Sequence, residues 1–337
     1  MAVTCECHHI EASLSGGPLR LPYWSLRAPR PGPTLLVVAA QHGNEVQGCE
    51  VMRRLRDQAL TDLHCGRLLL CPFLNLPAVR NRRPHQSSGP ETPYGVDGGR
   101  NINRTWPGDA SGGDPSRLTA AVAPALVAAA DAVIDIHCWP SSRGSTPLAD
   151  ATMTDWARCA ALRFVRVASA SAAARDPREG VTLVRHVRSS GRPALCLELS
   201  GQYAIHEHEV RRALRAVVNL ARRLGCFAGE PEGLDEDIAW LPQDTLATLR
   251  APVAGMFSGT GLTTSARVEA GDLLGTVLGV DNLEVAEIRA PQAGRIWTYG
   301  RNVAHVDVSL AAQHPLVEAG DVIVEIAQAG PGPGIPG

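Results

Sequence analysis

The chain has 337 residues, with Lys+Arg 32 against Asp+Glu 34 and a formal net charge of -2. That balance, with no long basic run, argues against a nucleic-acid or other polyanionic partner. With 45% hydrophobic and 20% charged residues, the composition fits an enzyme of one large domain plus a smaller one. The sequence contains no lysine, so every fixed side-chain cation is an arginine and lysine-based chemistry is excluded.

The amino-terminal stretch MAVTCECHHIEAS shows no charged leader followed by an apolar core, and no run in the chain reaches the length of a membrane span. The expectation is a cytoplasmic protein with no membrane partner. Nine cysteines, several inside apolar runs (Cys71, Cys196), read as reduced small hydrophobes rather than a disulfide framework. The cluster Cys5-Glu6-Cys7-His8-His9 has no second half elsewhere, and a frayed terminus is expected there.

The first apolar run, Thr34 to Ala40, predicts a buried strand, and His42-Gly43-Asn44-Glu45 stands directly behind it. A helix is predicted from Val46 to Gln58. The next runs are Leu68 to Leu74, ending in Asn75, then a second strand ending Asp135-Ile136-His137, then Ala194 to Leu197, ending in Glu198. Helical stretches over Leu118 to Ala130 and Ile205 to Leu224 alternate with these strands. Alternation of this kind predicts an α/β fold with a mostly parallel sheet and helices on both faces.

A lone His-x-x-Glu occurs by chance in many proteins. Four strands that each deliver a polar residue at the carboxyl end are more informative, because open parallel sheets bind ligands in the crevice outside those ends. His42, Glu45 and His137 offer two imidazoles and one carboxylate, which hold Zn²⁺ on three sides and leave a fourth position open. One Zn²⁺ per chain is the expected cofactor. Cys138, beside His137, is expected to turn to the opposite face of its strand.

From Pro77 to Arg117 the sequence loses periodicity and becomes rich in Gly, Pro, Asn and Arg, a length that suggests a functional loop. Asn103 and Arg104 in this loop offer an amide and a guanidinium to a substrate carboxylate.

His42-x-x-Glu45, the segment from Asp97-Gly98 to Asn103-Arg104-Thr105-Trp106-Pro107-Gly108, Asp135-Ile136-His137 and Leu197-Glu198 occur in the order of the succinylglutamate desuccinylase/aspartoacylase family. The chain resembles this family, whose members are related to zinc carboxypeptidases, over roughly residues 34 to 224. The resemblance implies a zinc-carboxypeptidase-like fold and a zinc-dependent amidohydrolase that removes an acyl group from a small N-acylated amino acid or related amine. It assigns His42, Glu45 and His137 as metal ligands, Glu198 as the catalytic carboxylate, and Asn103 and Arg104 as substrate-binding residues. Glu198 would take a proton from water and pass it to the leaving amine. An arginine upstream of the Asn-Arg pair is expected to stabilise the oxyanion, and Arg82 and Arg83 are the nominees, with Arg80 and Arg100 open. The chain departs from the family pattern at Asn101-Ile102 (usually Asp-Leu), at Cys138-Trp139-Pro140 and at Ser200-Gly201-Gln202-Tyr203, where specificity would be set. Trp139 and Tyr203 are either pocket-lining or core residues. The family analogy also suggests a homo-oligomer. Alternative readings are a zinc carboxypeptidase acting on a peptide or peptide-like conjugate, and a non-catalytic metal- or ligand-binding protein.

Past the acidic, glycine-bearing stretch Gly225 to Asp244 the sequence becomes short alternating runs. Ala251-Pro252 to Gly255 followed by Val268 to Asp272 is repeated as Ala290-Pro291 to Gly294 followed by Val317 to Asp321, each half reading A-P-x-x-G then V-E-A-G-D. This resembles a barrel-sandwich hybrid, similar to biotinyl and lipoyl carrier domains, but a carrier needs a modifiable lysine. The expectation is therefore a cleft-shaping all-β module. The domain organisation read from the sequence is a catalytic domain over 1–228, a linker over 229–244, the all-β domain over 245–328 and a disordered tail over 329–337.

Overall fold

The computed structural model describes residues 2–86, 100–167, 180–234, 238–241, 246–300 and 314–328. The expected disordered tail and residues 87–99 of the long loop, Asp97-Gly98 among them, lie outside the described residues.

One nine-stranded sheet organises residues 4–241. Its strands are β1 (Thr4–Leu14), β2 (Gly17–Arg27), β3 (Thr34–Ala39), β4 (Arg67–Cys71), β5 (Ala132–Trp139), β6 (Thr146–Ala149), β7 (Phe164–Val167), β8 (Ala194–Ser200) and β9 (Ala239–Leu241). They lie in the order β1-β2-β4-β3-β5-β8-β6-β7-β9. The central block β4-β3-β5-β8 is parallel; the β1-β2 hairpin joins β4 antiparallel, and β6 runs antiparallel to β8. The amino terminus is thus not frayed, since Cys5, Cys7 and His9 sit in the edge strand β1. The stretch expected as a linker contributes β9, which pairs with β7.

Among the described residues six α-helices accompany the sheet: α1 (Gln47–Asp62), α2 (Leu76–Asn81), α3 (Asp114–Val122), α4 (Thr154–Cys159), α5 (Leu183–Ser189) and α6 (Glu207–Leu224). Strand side chains alternate between faces, so β3 feeds both layers. Leu35, Val37 and Ala39 pack with Val51, Met52 and Leu55 of α1 and Ala213, Val217 and Leu220 of α6. Leu36 and Val38 pack on the other face with Leu118 and Val122 of α3 and Leu183 and Val187 of α5. Burial on both faces explains why this strand reads as an unbroken apolar run.

The chain moves from β3 through α1 to β4 on one side, then returns to place β5 on the other side of β3. The carboxyl ends of β3 and β5 therefore flank a point where strand order reverses, the place where an open sheet offers a crevice.

Two four-stranded antiparallel sheets follow, formed by β10 (Leu246–Arg250), β11 (Gly255–Gly259), β12 (Arg267–Val268), β13 (Leu273–Gly279), β14 (Val285–Arg289), β15 (Gly294–Tyr299), β16 (Leu316–Val317) and β17 (Val322–Ala327). The two sequence repeats interlock rather than stack. β11 of the first half pairs with β16 of the second, and β12 of the first with β15 of the second. The V-E-A-G-D segments form matching turns, in which the Glu269 N–H donates to Asp272 Oδ2 at 2.8 Å and the Glu318 N–H to Asp321 Oδ2 at 2.9 Å. Gly271 and Gly320 adopt φ of 91° and 90° in these turns, a conformation that favours glycine.

This β layer docks on the large sheet through aromatic side chains. Trp297 of β15 meets Trp139 of β5 at 5.3 Å and Phe164 of β7 at 5.0 Å between ring centroids, both edge to face. Among the described residues no helix is long and apolar enough to cross a membrane.

Candidate functional site

β3 ends at Ala39, and Ala40 in the left-handed conformation (φ 53°) turns the chain so that Gln41, His42, Asn44 and Glu45 all become buried. Gly43 permits this turn: a Cβ there would lie 2.2 Å from the Ala78 carbonyl carbon of α2. From β5, Asp135 and His137 project to the face opposite Ile134, Ile136 and Cys138, which join the apolar layer under α1 and α6. Cys138 thus turns away from His137, as its place in the strand dictates.

The three expected ligands meet. His42, Glu45 and His137 each offer one ligand atom, and these atoms lie within 4.8 Å of one another. The Glu45 carboxylate sits between the imidazoles, with Oε1 2.9 Å from His42 Nδ1 and Oε2 2.7 Å from His137 Nδ1. The backbone N–H of Cys138 also donates to Oε2 at 3.1 Å. Each ring is held from its far side. Asn101 Oδ1 lies 3.0 Å from His42 Nε2, and Asp135 Oδ2 lies 3.1 Å from His137 Nε2. Acceptors at both Nε2 atoms turn both Nδ1 atoms inward, which is how metal-binding histidines are oriented.

Burial opposes ionisation of Glu45, but the two imidazoles outweigh it by charge and hydrogen bonding and hold its carboxyl far below the usual range. Burial likewise disfavours a charged His137, yet Asp135 and Glu45 raise its pKa well above the ordinary value. Two imidazoles and a carboxylate concentrated in a buried crevice form a donor set suited to a divalent cation.

Glu198 of β8 stands directly across from His137 in the parallel register and on the same face. Burial pushes its carboxyl up to about 7, with Glu45 and Asp135 adding to the rise while His137 and Arg143 oppose it. A carboxyl poised near neutrality can both accept and return a proton.

The loop residues fall into two groups. Asn103 and Arg104 lie in a short 3₁₀ turn, Ile102–Arg104. The Asn103 Oδ1 accepts from the Leu183 N–H at 3.0 Å, which places its Nδ2 3.1 Å from His137 Nε2. Arg104, partly buried, donates from Nη1 to the Asn103 carbonyl at 2.9 Å. Arg82 is exposed in a left-handed turn (φ 54°) at the end of α2, Arg83 is half-buried beside it, and Arg80 and Arg100 are exposed.

Several site residues escaped the sequence reading. Gln41 is fully buried, donates to Asp135 Oδ2 at 2.7 Å and accepts from Trp106 Nε1 at 2.9 Å, tying the long loop to the site. His85 is buried with its ring 5.4 Å from that of His42, and burial, with His42 and Arg100, lowers its pKa to about 4. Gln202 donates to the Cys138 carbonyl at 2.6 Å and to Glu45 Oε1 at 3.5 Å. Gln41 carried a usable signal, being a polar residue between the strand run and His42. His85 carried none, for it lies in the aperiodic loop. Asn101, noted above as a departure from Asp, supplies an acceptor to His42. Trp139 packs in the aromatic cluster, and Tyr203 lies partly exposed with its N–H bonded to the Asn44 carbonyl at 2.8 Å.

A polar centre at the switch point of a two-layered α/β sheet defines a class of enzyme-like α/β proteins that gather ligands at strand ends. The family model described as the succinylglutamate desuccinylase/aspartoacylase catalytic domain matches residues 31–224, and the chain belongs to that family. Members of the family are amide hydrolases. The chain is 29% identical over 124 residues to the N-alpha-acetyl-L-2,4-diaminobutyric acid deacetylase of Halomonas elongata; the match covers 37% of this chain and about a third (34%) of that protein. It shares its fold with a succinylglutamate desuccinylase/aspartoacylase from Rhodobacter sphaeroides (TM-score 0.69, 22% identity, 97% of this chain and 96% of that one). The product-bound ectoine utilization protein EutE (DoeB) from Ruegeria pomeroyi is similar (TM-score 0.68, 20% identity, 97% and 96%).

Proposed function

We propose that this protein is a zinc-dependent deacylase that removes an acyl group from a small N-acylated amino acid or related amine. The observation that carries this reading is the convergence of His42 Nδ1, His137 Nδ1 and the Glu45 carboxylate, with Glu198 beside His137 and outside the triad. The deacetylase relative supports an acetylated amino acid as the substrate class. A sheet that gathers these groups at its carboxyl ends is also the arrangement we propose it shares with zinc carboxypeptidases.

His42, Glu45 and His137 would hold the ion. Zinc there supplies Lewis-acid polarisation of an amide carbonyl and an acidic water near neutral pH. Asn101 and Asp135 keep the two imidazoles facing inward. Glu198, ionised, accepts a proton from the attacking water at its carboxylate oxygen and then delivers that proton to the amine nitrogen as the C–N bond breaks. The amine leaves neutral with the acyl group as its carboxylic acid, and the second proton of the water then passes from that acid to the amine or to solvent, giving a carboxylate and an ammonium at neutral pH. Arg104 is proposed to bind a substrate carboxylate, and Arg83, the more buried of the two nominees, is proposed over Arg82 for the developing oxyanion.

The test is metal content by elemental mass spectrometry together with acetate release from N-acetyl amino acids. About one zinc per chain, absent from His42→Ala and His137→Ala, together with zinc-dependent acetate release, is the expected outcome. A wild type that retains no zinc would refute the reading.

A further inference from the structure

The loop between β5 and β6 has a geometry that the proposed chemistry does not use. β8 lies between β5 and β6 in the sheet, so residues 140–145 must cross over its carboxyl end, where Glu198 sits. The crossing is fastened from below. The Ser200 N–H donates to Ser145 Oγ at 2.8 Å, Ser200 Oγ donates to the Ser141 carbonyl at 3.2 Å, and the Gly201 N–H donates to the Trp139 carbonyl at 3.0 Å.

It is fastened from above by the β layer. The Tyr299 N–H donates to the Ser142 carbonyl at 2.7 Å, the Gly144 N–H donates to the Trp297 carbonyl at 2.9 Å, and Arg143 forms an isolated bridge with Thr298. Arg143, at the centre of this clamped span, lays its guanidinium over the Trp139 ring at 5.5 Å. Among the described residues that guanidinium makes no ion pair and no side-chain hydrogen bond, although it is half-buried. The charges that bear on it are Arg166, Glu325 and Glu198. Glu325 is engaged by the Thr298 hydroxyl. A partly desolvated arginine whose five donors are uncommitted among the described residues, pinned by two layers of the fold beside the proposed proton carrier, is the arrangement that recognises a planar anion.

The geometry points to Arg143 as the anchor for a carboxylate of the substrate, which makes the preferred substrates N-acyl amines that carry an acid group. This rests on the deacylase reading and sharpens it. Arg143 joins Arg104 as a second cation, and it gives the β layer a part in specificity, since β15 holds the loop in place. Arg166, which adds like charge, deepens the positive field at the same spot.

The experiment is calorimetric binding of L-2,4-diaminobutyrate, which has no amide bond to cleave, and of its carboxamide, with ammonia release monitored, to the full-length, zinc-supplemented protein. The wild type is expected to bind the acid about 10- to 100-fold more tightly than the carboxamide, the scale of a charge-assisted hydrogen bond. Arg143→Met should cut that preference about tenfold, leaving the share that Arg104 holds, while Arg143→Lys retains more of it, and comparison of melting temperatures shows whether both variants fold. No preference in the wild type, no binding of either compound, or a preference that Arg143→Met keeps undiminished would overturn the assignment. Acetate release from the N-acetylated compound is scored separately, so failure of turnover would count against the deacylase reading without deciding the role of Arg143.

Discussion

Replacing Glu198 by Gln keeps the shape of the side chain and removes its ability to take a proton. Both proton transfers of the proposed reaction, from water and to the leaving amine, pass through this one carboxylate, so the loss should lie in the upper part of the range for general acid–base catalysis. That range is about 10² to 10⁴-fold in rate, and about 10³-fold or more is expected here, equivalent to about 4 kcal/mol. Glu198 is outside the His42-Glu45-His137 triad, and its burial, not an ion pair, sets its pKa near 7. Zinc content should therefore remain at the wild-type level and KM should change by only a few-fold. The assay is steady-state acetate release on zinc-supplemented protein, with metal analysis of the same samples. A kcat within tenfold of wild type at full zinc occupancy would refute the role given to Glu198, whereas lost zinc would show that Glu198 is a ligand.

The same carboxyl makes stability pH-dependent. Its folded pKa of about 7 exceeds the ordinary 4.5, so the folded metal-free protein binds more protons between those values. Its contribution is thus fully present below pH 4.5 and is lost as pH rises through 7. Metal-free Glu198→Gln should melt higher than wild type at pH 8, with the gap closing toward pH 5, by calorimetry. Acetate release should fall as pH drops through the titration of Glu198, and a bound cation, by its charge, moves that limb below 7. Gly43→Ala forces a Cβ to within 2.2 Å of α2 backbone; it should cost about 1–3 kcal/mol and displace His42 and Glu45, read as lost zinc and a lower melting temperature. Trp297→Ala removes a side chain only 5% exposed that meets Trp139 and Phe164. It should cost about 3–5 kcal/mol in the β layer, seen as an earlier unfolding step in calorimetry.

The apolar runs of β3, β5 and β8, the spacing of His42 and Glu45, and the paired A-P-x-x-G and V-E-A-G-D segments were all legible in the amino-acid order. Each rests on local rules: side chains alternate along a strand, and polar residues at strand ends mark a crevice. Those rules alone place His42, Glu45, His137 and Glu198 in one neighbourhood. The same rules could not show that β8 lies between β5 and β6, because strand order depends on contacts between residues far apart in the chain. Strand order is what carries Arg143 across Glu198 and brings Trp297 against Trp139. Nor could they show that Gln41 links Asp135 to Trp106, that His85 reaches His42 from an aperiodic loop, or that Asn101 holds the far nitrogen of His42. These partners are 94, 43 and 59 residues apart in the chain. Local sequence thus determined which groups arrive at the sheet's edge, and only tertiary packing decided how each ring is turned and which cation stands over the site.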